Sequence, residues 1–436
     1  MKTYHTIIIG GGPAGMSAAI QCAKQEQKVL LLDCCEKIGK KILVTGNGKC
    51  NLTNLRQHSS CYRGNAPDAA GSIFDVFGLK ETMELFHELG IYTKDKNGYV
   101  YPYHEQASGV REAFEAALFA NHNLDIQTGI RVTDMIPSKD GFRIVAESSQ
   151  DEPEKEKANR KKAAKPTKKK LMHFAGHSVI IATGGLAGKN LGCDGSGYEF
   201  AKKTGHQLIK PLPALTALKS GAPFLKKLSG VRNPARISLY TKEDGLLAEE
   251  CGELQWTDYG ISGVAVFQLS RFAAVALEDG KNPYVLLDFM PDISLKEVKI
   301  LLLSMAEKCG YKNSRVFLDG FFPAKLTPVL LREAQIEEDF PVSAWKEEEI
   351  CRMAGVIKGF SLKINGYMGF EKAQVTRGGV AMTEVTGELE SRHLPGLFFA
   401  GEVLDVDGTC GGYNLQWAFS SGSVAGKAAF LRNQLC

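Results

Sequence analysis

The stretch TIIIGGGPAGMSAA, residues 6–19, decides the fold of the N-terminal region. It begins with a short apolar run, which is typical of a strand buried in a parallel sheet. Gly10, Gly12 and Gly15 then follow in the spacing G-x-G-x-x-G, and small residues continue as a predicted helix. In this motif the first glycine makes a tight turn, the second lets the backbone approach a pyrophosphate, and the third lets helix and strand pack closely.

A second strand with a terminal acid completes the pattern. The apolar run KVLLLD ends at Asp33, about 20 residues after the glycines, where an acid can accept hydrogen bonds from a ribose. Strand, turn, helix, strand and acid in this order predict a dinucleotide-binding unit. The motif alone leaves NAD and FAD open.

Another glycine-rich stretch near the other end of the chain favours FAD. Residues 394–422, LPGLFFAGEVLDVDGTCGGYNLQWAFSSG, indicate a strand ending at Gly401 and Glu402, a loop and a helix. An NAD site is completed by its own βαβ units, whereas the ribityl chain and flavin of FAD extend beyond the first motif. An acid at a strand end can hold ribityl hydroxyls, and helix-start N–H groups can meet the flavin oxygen that gains charge on reduction.

Composition limits the class of protein. The 436 residues allow two or three domains, and 23% charged residues are ordinary for a globular protein. No apolar run approaches the roughly 20 residues that span a bilayer, and three glycines and a proline argue against a secretory signal. The 11 cysteines include no CxxC pair and show no zinc-like spacing with histidine. We therefore expect free thiols, no metal, no membrane association and a cytoplasmic location.

A Lys-rich segment interrupts the first region. Residues 151–170 hold nine Lys or Arg against four acids, although the whole chain is only +4. Such a run could bind RNA, DNA or an anionic membrane. The segment contains no aromatic residue and almost nothing to bury, so a solvated hairpin insertion is favoured.

The fold class predicted is α/β, with a discontinuous Rossmann-like FAD-binding domain and an insertion. Residues 1–190 and 366–436 would form the FAD-binding domain. The inserted substrate or cap domain, 191–365, would be mainly antiparallel β at 208–290, where short alternating runs are separated by Gly, Pro and Asn. Amphipathic patterns predict a small helical subdomain at 294–356.

Four sequence blocks resemble one family. They are IIIGGGPAGMSAA, GKKILVTGNGKCNLTN (39–54), VIIATGGLAG (179–188), and AQVTRGGVAMTEV (373–385) together with the C-terminal glycine-rich stretch. The chain resembles FAD-dependent oxidoreductases with two dinucleotide-binding domains, and more narrowly the bacterial HI0933-like family, which includes BaiN-type enzymes. The matches span nearly the whole chain.

The resemblance implies a set of cofactor contacts. They are Gly10, Gly12, Ala14 and Gly15 on the pyrophosphate; Asp33 on the adenosine ribose; Gly46, Asn47, Cys50, Asn51 and Leu52 along the flavin; Ile130 at the adenine; Thr183 and Gly184 against the cofactor; Gly401 and Glu402 at the ribityl chain; and Asn414, Leu415 and Gln416 at the flavin edge.

This chain departs from the family at several positions. The family more often has Glu at the position of Asp33, and Gly and Arg at the positions of Asn47 and Lys49. Lys lacks the planar fork of Arg, so a bidentate anion contact at that position is not implied. The family commonly carries His where this chain has Asp258, so no proton-transfer role is carried over.

The predicted function is an FAD-dependent oxidoreductase that acts on a small organic substrate by hydride transfer through the flavin N5. NAD(P)H, bound transiently, or O2 would be the redox partner. The alternative is an FAD-containing RNA-binding or RNA-modifying protein that uses residues 155–170, although the sequence does not favour a nucleic-acid partner. Catalytic residues, substrate identity and oligomeric state stay open.

Overall fold

The computed structural model describes residues 2–23, 27–148 and 170–435. Its internal contacts divide the chain into two compact units, Met1–Pro211 with Val375–Cys436, and Leu212–Gln374. The sequence places the insertion at 191–365. The second compact unit of the structure instead begins at Leu212 and ends at Gln374. Helix Ser196–Lys203 lies in the first unit because it contributes Tyr198, Phe200 and Ala201 to the core of that unit. Residues 151–169 of the Lys-rich segment lie outside the described residues.

The first unit is organised by a seven-stranded mixed sheet. In spatial order its strands are Leu124–Thr128, Val29–Asp33, Lys2–Ile9, Leu171–Ile181, Gly141–Ser148 and Ile130–Ser138, with Leu397–Phe399 also pairing with Leu171–Ile181. The first four strands and Leu397–Phe399 are parallel, and the other two form an antiparallel extension. Strand Lys2–Ile9 has Ile7 and Ile8 fully buried, as its apolar run predicts.

Helices and short strands surround this sheet. The helices of the first unit are Pro13–Cys22, Pro67–Val76, Leu79–Glu88, Ala107–Phe119, Ser196–Lys203 and Tyr413–Leu435. Its short strands are Thr53–Asn54, Tyr62–Arg63, Thr93–Lys96, Tyr99–Pro102 and Asp407–Gly408. Strands Leu208–Ala214 and Val375–Val380 carry the chain out of the first unit and back into it.

The N-terminal and C-terminal helices pack closely together. A Cβ atom at Gly422 would lie 2.2 Å from the backbone oxygen of Ala14, and one at Gly426 would lie 2.5 Å from that of Ala18. The Sγ of Cys22 donates to the backbone oxygen of Gly426 at 3.2 Å. Glycines on the last helix therefore bring the second glycine-rich stretch against the first.

The second unit contains a seven-stranded antiparallel sheet and a group of helices. In spatial order its strands are Phe360–Lys363, Tyr284–Asp288, Arg232–Thr241, Gly245–Trp256, Gly260–Ser262, Leu218–Lys219 and Gly366–Tyr367. Its helices are Leu225–Leu228, Val264–Glu278, Leu295–Lys308, Ser314–Leu318, Thr327–Glu333 and Glu347–Gly359.

One element of the second unit corrects the sequence interpretation. The segment GVAVFQLS falls within the predicted β-rich region, yet helix Val264–Glu278 begins there. Val266, Leu269 and Ala273 are fully buried at helical spacing, so the apolar run is one face of a helix. Among the described helices of the chain, none combines the length and hydrophobicity that crossing a bilayer requires.

Candidate functional site

The three glycines of the N-terminal motif have different surroundings. Gly10 has φ +108°, and a Cβ there would lie 2.4 Å from the backbone oxygen of Ala182. At Gly15 a Cβ would lie 1.8 Å from the backbone oxygen of Gly10. At Gly12, apart from the adjoining backbone, no atom of the described residues lies within 4 Å of the Cβ position. The chain's own packing requires the first and third glycines, whereas the second faces open space that a bound phosphate can fill.

The helix that follows presents a free N-terminus to this space. Gly12 is the N-cap residue of helix Pro13–Cys22, and no side chain in the described part of the protein caps the helix. Unpaired N–H groups and the helix dipole favour an anion at such an end. A Cβ at Gly401 would lie 2.8 Å from the Cβ of Ala14, so the strand end from the distal segment reaches the first turn of this helix.

Asp33 lies beside the glycine turn. Its carboxylate accepts hydrogen bonds of 2.6 Å from the backbone N–H groups of Gly11 and Cys35. Burial raises the pKa of Asp33, and the two backbone hydrogen bonds oppose that change. The carboxylate keeps lone pairs for further donors. The backbone N–H of Gly129 donates to the backbone oxygen of Cys35 at 2.8 Å, which brings the neighbouring Ile130 close to the carboxyl end of strand Val29–Asp33.

The loop that follows residue 45 has unusual backbone angles and an unsatisfied polar atom. Gly46, Asn47 and Cys50 adopt φ values of 54°, 53° and 55°. Burial raises the pKa of the Cys50 thiol to about 11, which does not favour a redox-active thiolate. The Oδ1 atom of Asn51 is buried and has no hydrogen-bond partner among the described residues, and Leu52 is fully buried. An orphaned buried acceptor is costly, so a donor from a bound cofactor would stabilise this loop.

Glu402 connects three segments. Its Oε1 accepts from the backbone N–H of Thr376 at 2.9 Å, and its Oε2 lies 2.7 Å from the Nζ of Lys41. The Oγ1 of Thr376 accepts from the backbone N–H groups of Leu186 and Ala187 at 2.8 and 3.0 Å. The end of the distal strand is therefore tied to the loop that contains Thr183 and Gly184.

Lys41 is a residue that the sequence interpretation missed. Burial lowers the pKa of Lys41 and the Glu402 carboxylate raises it, with a net upward shift. The ammonium group therefore stays charged beside Glu402. Its position within the 39–54 block, next to two glycine-rich motifs, was the available signal. Nothing in the sequence indicates its pairing with Glu402, which lies 361 residues away.

In the loop that contains Thr183 and Gly184, Gly184 has φ +73°. A Cβ there would lie 2.9 Å from the Sγ of Cys193. The Oγ1 of Thr183 lies 2.2 Å from the Cβ position of Gly197, so the turn packs on the start of helix Ser196–Lys203. These contacts fix the path of the Thr183–Gly184 backbone.

At the C-terminal glycine loop, two predicted site residues use their side chains for structure. The Oδ1 of Asn414 accepts from the backbone N–H of Gly408 at 2.7 Å, and its Nδ2 donates to the Gly408 oxygen at 2.9 Å. Gln416 is fully buried, and its Nε2 donates to the Oγ atoms of Thr82 and Ser420 at 2.7 and 2.8 Å. The backbone at the start of helix Tyr413–Leu435, including half-buried Leu415, is what this segment offers to a cofactor.

The family model for the HI0933-like protein Rossmann domain matches residues 4–428. The chain belongs to this family. A 3-dehydro-bile acid delta(4,6)-reductase from Clostridium scindens is 41% identical over 425 residues, which are 97% of this chain and 98% of that protein. A ribosomal RNA dihydrouridine synthase from Escherichia coli is 28% identical over 97% of this chain and 96% of that protein.

A solved structure agrees on the fold. The quinol fumarate reductase of E. coli superposes with a TM-score of 0.50 at 14% identity, covering 100% of this chain and 71% of that one. The family membership identifies this chain as an FAD-dependent oxidoreductase, as the paired glycine-rich motifs predict. The open space at Gly12, the free helix N-terminus and the orphaned Asn51 oxygen fit FAD. Which residues contact FAD stays a prediction.

Proposed function

We propose that the protein reduces a carbon–carbon double bond conjugated to a carbonyl group, in a small polycyclic molecule of the steroid type. The supporting observation is the 41% identity, over 97% of the chain, to an enzyme named as a 3-dehydro-bile acid delta(4,6)-reductase. In such a compound the ring double bonds are conjugated to the ketone. FAD, once bound and reduced by two electrons, would supply a hydride from its N5 to the electron-poor end of such a bond.

In this proposal the chain's own residues bind and orient the cofactor. The free N-terminus of helix Pro13–Cys22 meets the pyrophosphate, with Gly12 leaving the space. Asp33 holds the adenosine ribose, and Glu402 holds the ribityl chain while it remains paired with Lys41. NAD(P)H is the proposed hydride donor and binds only transiently. The ten described cysteines are all free thiols, which supports the proposed cytoplasmic location.

A stopped-flow experiment tests this function. Holoprotein is reduced anaerobically with NADPH or NADH, or with dithionite if neither reacts, and is then mixed with a steroidal 4,6-dien-3-one. The matched control is the corresponding ketone with saturated rings, which has no conjugated carbon–carbon double bond to reduce. We expect flavin reoxidation only with the dienone, and a product two hydrogens heavier by mass spectrometry. Equal reoxidation rates with both steroids would reject the proposal.

A second candidate substrate is a uridine in RNA, whose ring double bond is also conjugated to a carbonyl. The supporting observation is a hairpin of strands Thr93–Lys96 and Tyr99–Pro102. Tyr92, Tyr99 and Tyr103 on and beside it are 76%, 40% and 59% exposed. Exposed aromatic rings among cations are typical of surfaces that stack bases and contact phosphates.

The hairpin lies next to both cofactor loops. A Cβ at Gly411 would lie 2.7 Å from the Tyr99 ring, which places this ring against the C-terminal glycine loop. Lys94 and Lys49, the latter from the 46–52 region, pair with Glu105 at 2.7 and 3.5 Å. The RNA-binding alternative from sequence uses residues 155–170, where no aromatic residue occurs.

The RNA candidate is tested by incubating reduced holoprotein with ribosomal RNA and measuring dihydrouridine by mass spectrometry. Tyr92→Ala with Tyr103→Ala should lower RNA affinity by about tenfold or more, because each stacked base contributes about 1–3 kcal/mol. Tyr311→Ala, a change at a tyrosine that is 82% exposed in the second unit, is the control. RNA that gains no dihydrouridine, while the dienone is reduced, would exclude this candidate.

A further inference from the structure

Two adjacent cysteines and an acid converge at the end of strand Val29–Asp33. A carboxylate oxygen of Asp33 and the Sγ atoms of Cys34 and Cys35 all lie within 4.8 Å of one another. All three side chains are half-buried. Adjacent side chains of a strand point to opposite faces. The strand ends at Asp33 and the chain bends at Cys34 and Cys35, so both thiols reach the same side.

A glycine leaves room for the two sulfur atoms. Gly192 has φ +97°, and a Cβ there would lie 3.0 Å from the Sγ of Cys35 and 3.3 Å from the Sγ of Cys34. The Sγ of Cys34 also lies 3.9 Å from the backbone oxygen of Gly192. A side chain at residue 192 would therefore press on both thiols, and its absence leaves space for the two sulfur atoms.

We propose that Asp33, Cys34 and Cys35 form a binding site for a thiophilic divalent cation, Zn2+ by its ligand preference. Two thiolates and one carboxylate are ligands that Zn2+ accepts at about 2.3 and 2.0–2.2 Å, and water can complete a four-coordinate site. The Asp33 carboxylate already accepts two backbone hydrogen bonds and keeps further lone pairs for a cation. The donor atoms need only a modest contraction around the ion.

This cation site overlaps the adenosine end of the proposed cofactor site. The overlap rests on the proposed contact of Asp33 with the ribose. Zn2+ and FAD then compete for one carboxylate, and excess Zn2+ releases or excludes FAD. Binding displaces the thiol protons of Cys34 and Cys35.

The site is tested with Cd2+ as the probe, because Cd–thiolate bonds absorb in the ultraviolet. The full chain stripped of FAD, kept reduced by a phosphine, is titrated with CdCl2. We expect a saturable charge-transfer band at one equivalent, and its loss in the Cys34→Ser, Cys35→Ser double variant. Cys251→Ser, which removes an exposed thiol elsewhere, should keep the band. A band of equal intensity in the double variant would overturn the site.

Competition is measured separately on the holoprotein. FAD should lower the apparent Cd2+ affinity by about tenfold or more, and ZnCl2 should increase free-flavin fluorescence in the wild type but not in the double variant. Circular dichroism and FAD content of the double variant verify that it folds. If Cd2+ bound equally well with and without FAD, the cation site would stand. The sharing of Asp33 between cation and cofactor would be rejected, and with it the proposed contact of Asp33 with the ribose.

Discussion

The Nζ of Lys41 and the Oε2 of Glu402 lie 2.7 Å apart, although 361 positions separate the two residues in the chain. The side chains are only 22% and 19% exposed, so each charge is largely withdrawn from water and depends on the other. The pair fastens the 39–54 block to the end of strand Leu397–Phe399.

The first prediction concerns the acid of this pair. Glu402→Ala should weaken FAD binding by about 1.5–3 kcal/mol, the scale for hydrogen bonds to a charged group. It should also leave Lys41 without its ion-pair partner. FAD affinity is measured by titrating stripped protein and following flavin fluorescence. Glu388→Ala, at an exposed position, is the control. An unchanged dissociation constant in Glu402→Ala would reject the ribityl assignment.

The second prediction separates two glycines of one motif. Gly12 has extended backbone angles, φ −75° and ψ −177°, and empty space at its Cβ, so Gly12→Val should fold. Its side chain should fill the phosphate space and abolish FAD retention. Gly15→Ala would place a Cβ 1.8 Å from the Gly10 oxygen, so the fold itself should lose about 3 kcal/mol.

Thermal melting of the FAD-free proteins and chromatography of released cofactor distinguish these outcomes. The Gly12→Val protein should melt as the stripped wild type does and contain no FAD. If it retained stoichiometric FAD, the pyrophosphate would not lie at Gly12. If Gly15→Ala melted like the wild type, the close packing of turn and helix would not limit stability.

The sequence predicted the parts of this site that follow from local backbone chemistry. The buried strand Lys2–Ile9, the turn at Gly10 and the helix beginning at Pro13 are each specified by neighbouring residues. The resemblance to the family extended this to the distal segment, where Gly422 and Gly426 pack on the first helix. Fold class, family and cofactor were predicted correctly for this reason.

Contacts between distant segments were not predictable in the same way. The sequence assigned Gln416 to the flavin edge, but it does not show that the side chain lies in a buried network with Thr82 and Ser420. The sequence around Lys41 does not indicate that its side chain forms an ion pair with Glu402. The helix at Val264 was missed because a short apolar run fits a buried strand and a helix equally well.

The third prediction concerns a buried histidine in the first unit. His206 is 5% exposed; its Nε2 lies 2.7 Å from the Oγ of Ser391, and its Nδ1 contacts the backbone oxygen of Ala201 at 3.2 Å. The ring of His393 stands 4.8 Å away, and His393 pairs with Glu384. Burial lowers the pKa of His206, and the neighbouring His393 contributes in the same direction.

The sign of the pH effect follows from this shift. The unfolded chain takes up the His206 proton below about pH 6.5, whereas the folded chain takes it up only at lower pH. The stability contribution of neutral His206 is therefore present above pH 6.5 and is lost as the pH falls through the folded pKa. Urea unfolding of the wild type and His206→Gln between pH 7.5 and 5, chosen to span about pH 6.5, should show a steeper loss in the wild type. Parallel pH profiles would contradict the prediction.

The last prediction concerns the Lys-rich segment, and the structure describes the strands on either side of it. The backbone N–H of Ser148 donates to the Lys170 oxygen at 3.1 Å, and Leu171 pairs with Glu147 in the antiparallel ladder. A two-residue Asn-Gly turn can therefore replace residues 149–169 without changing strand register. Because a shorter loop costs less closure entropy, the free energy of unfolding should stay constant or rise by up to about 2 kcal/mol.

FAD content and flavin reduction should be unaltered by this deletion, since each flanking strand keeps its pairing. A second variant with 149–169 replaced by Gly and Ser of equal length separates the effect of charge from that of length. Any RNA binding that depends on the segment should fall steeply with salt and show no sequence preference, because lysines contact phosphates and no aromatic residue is present to stack on bases. Loss of FAD from the deletion variant, or loss of sequence-specific RNA binding from both variants, would show that this segment takes part in function.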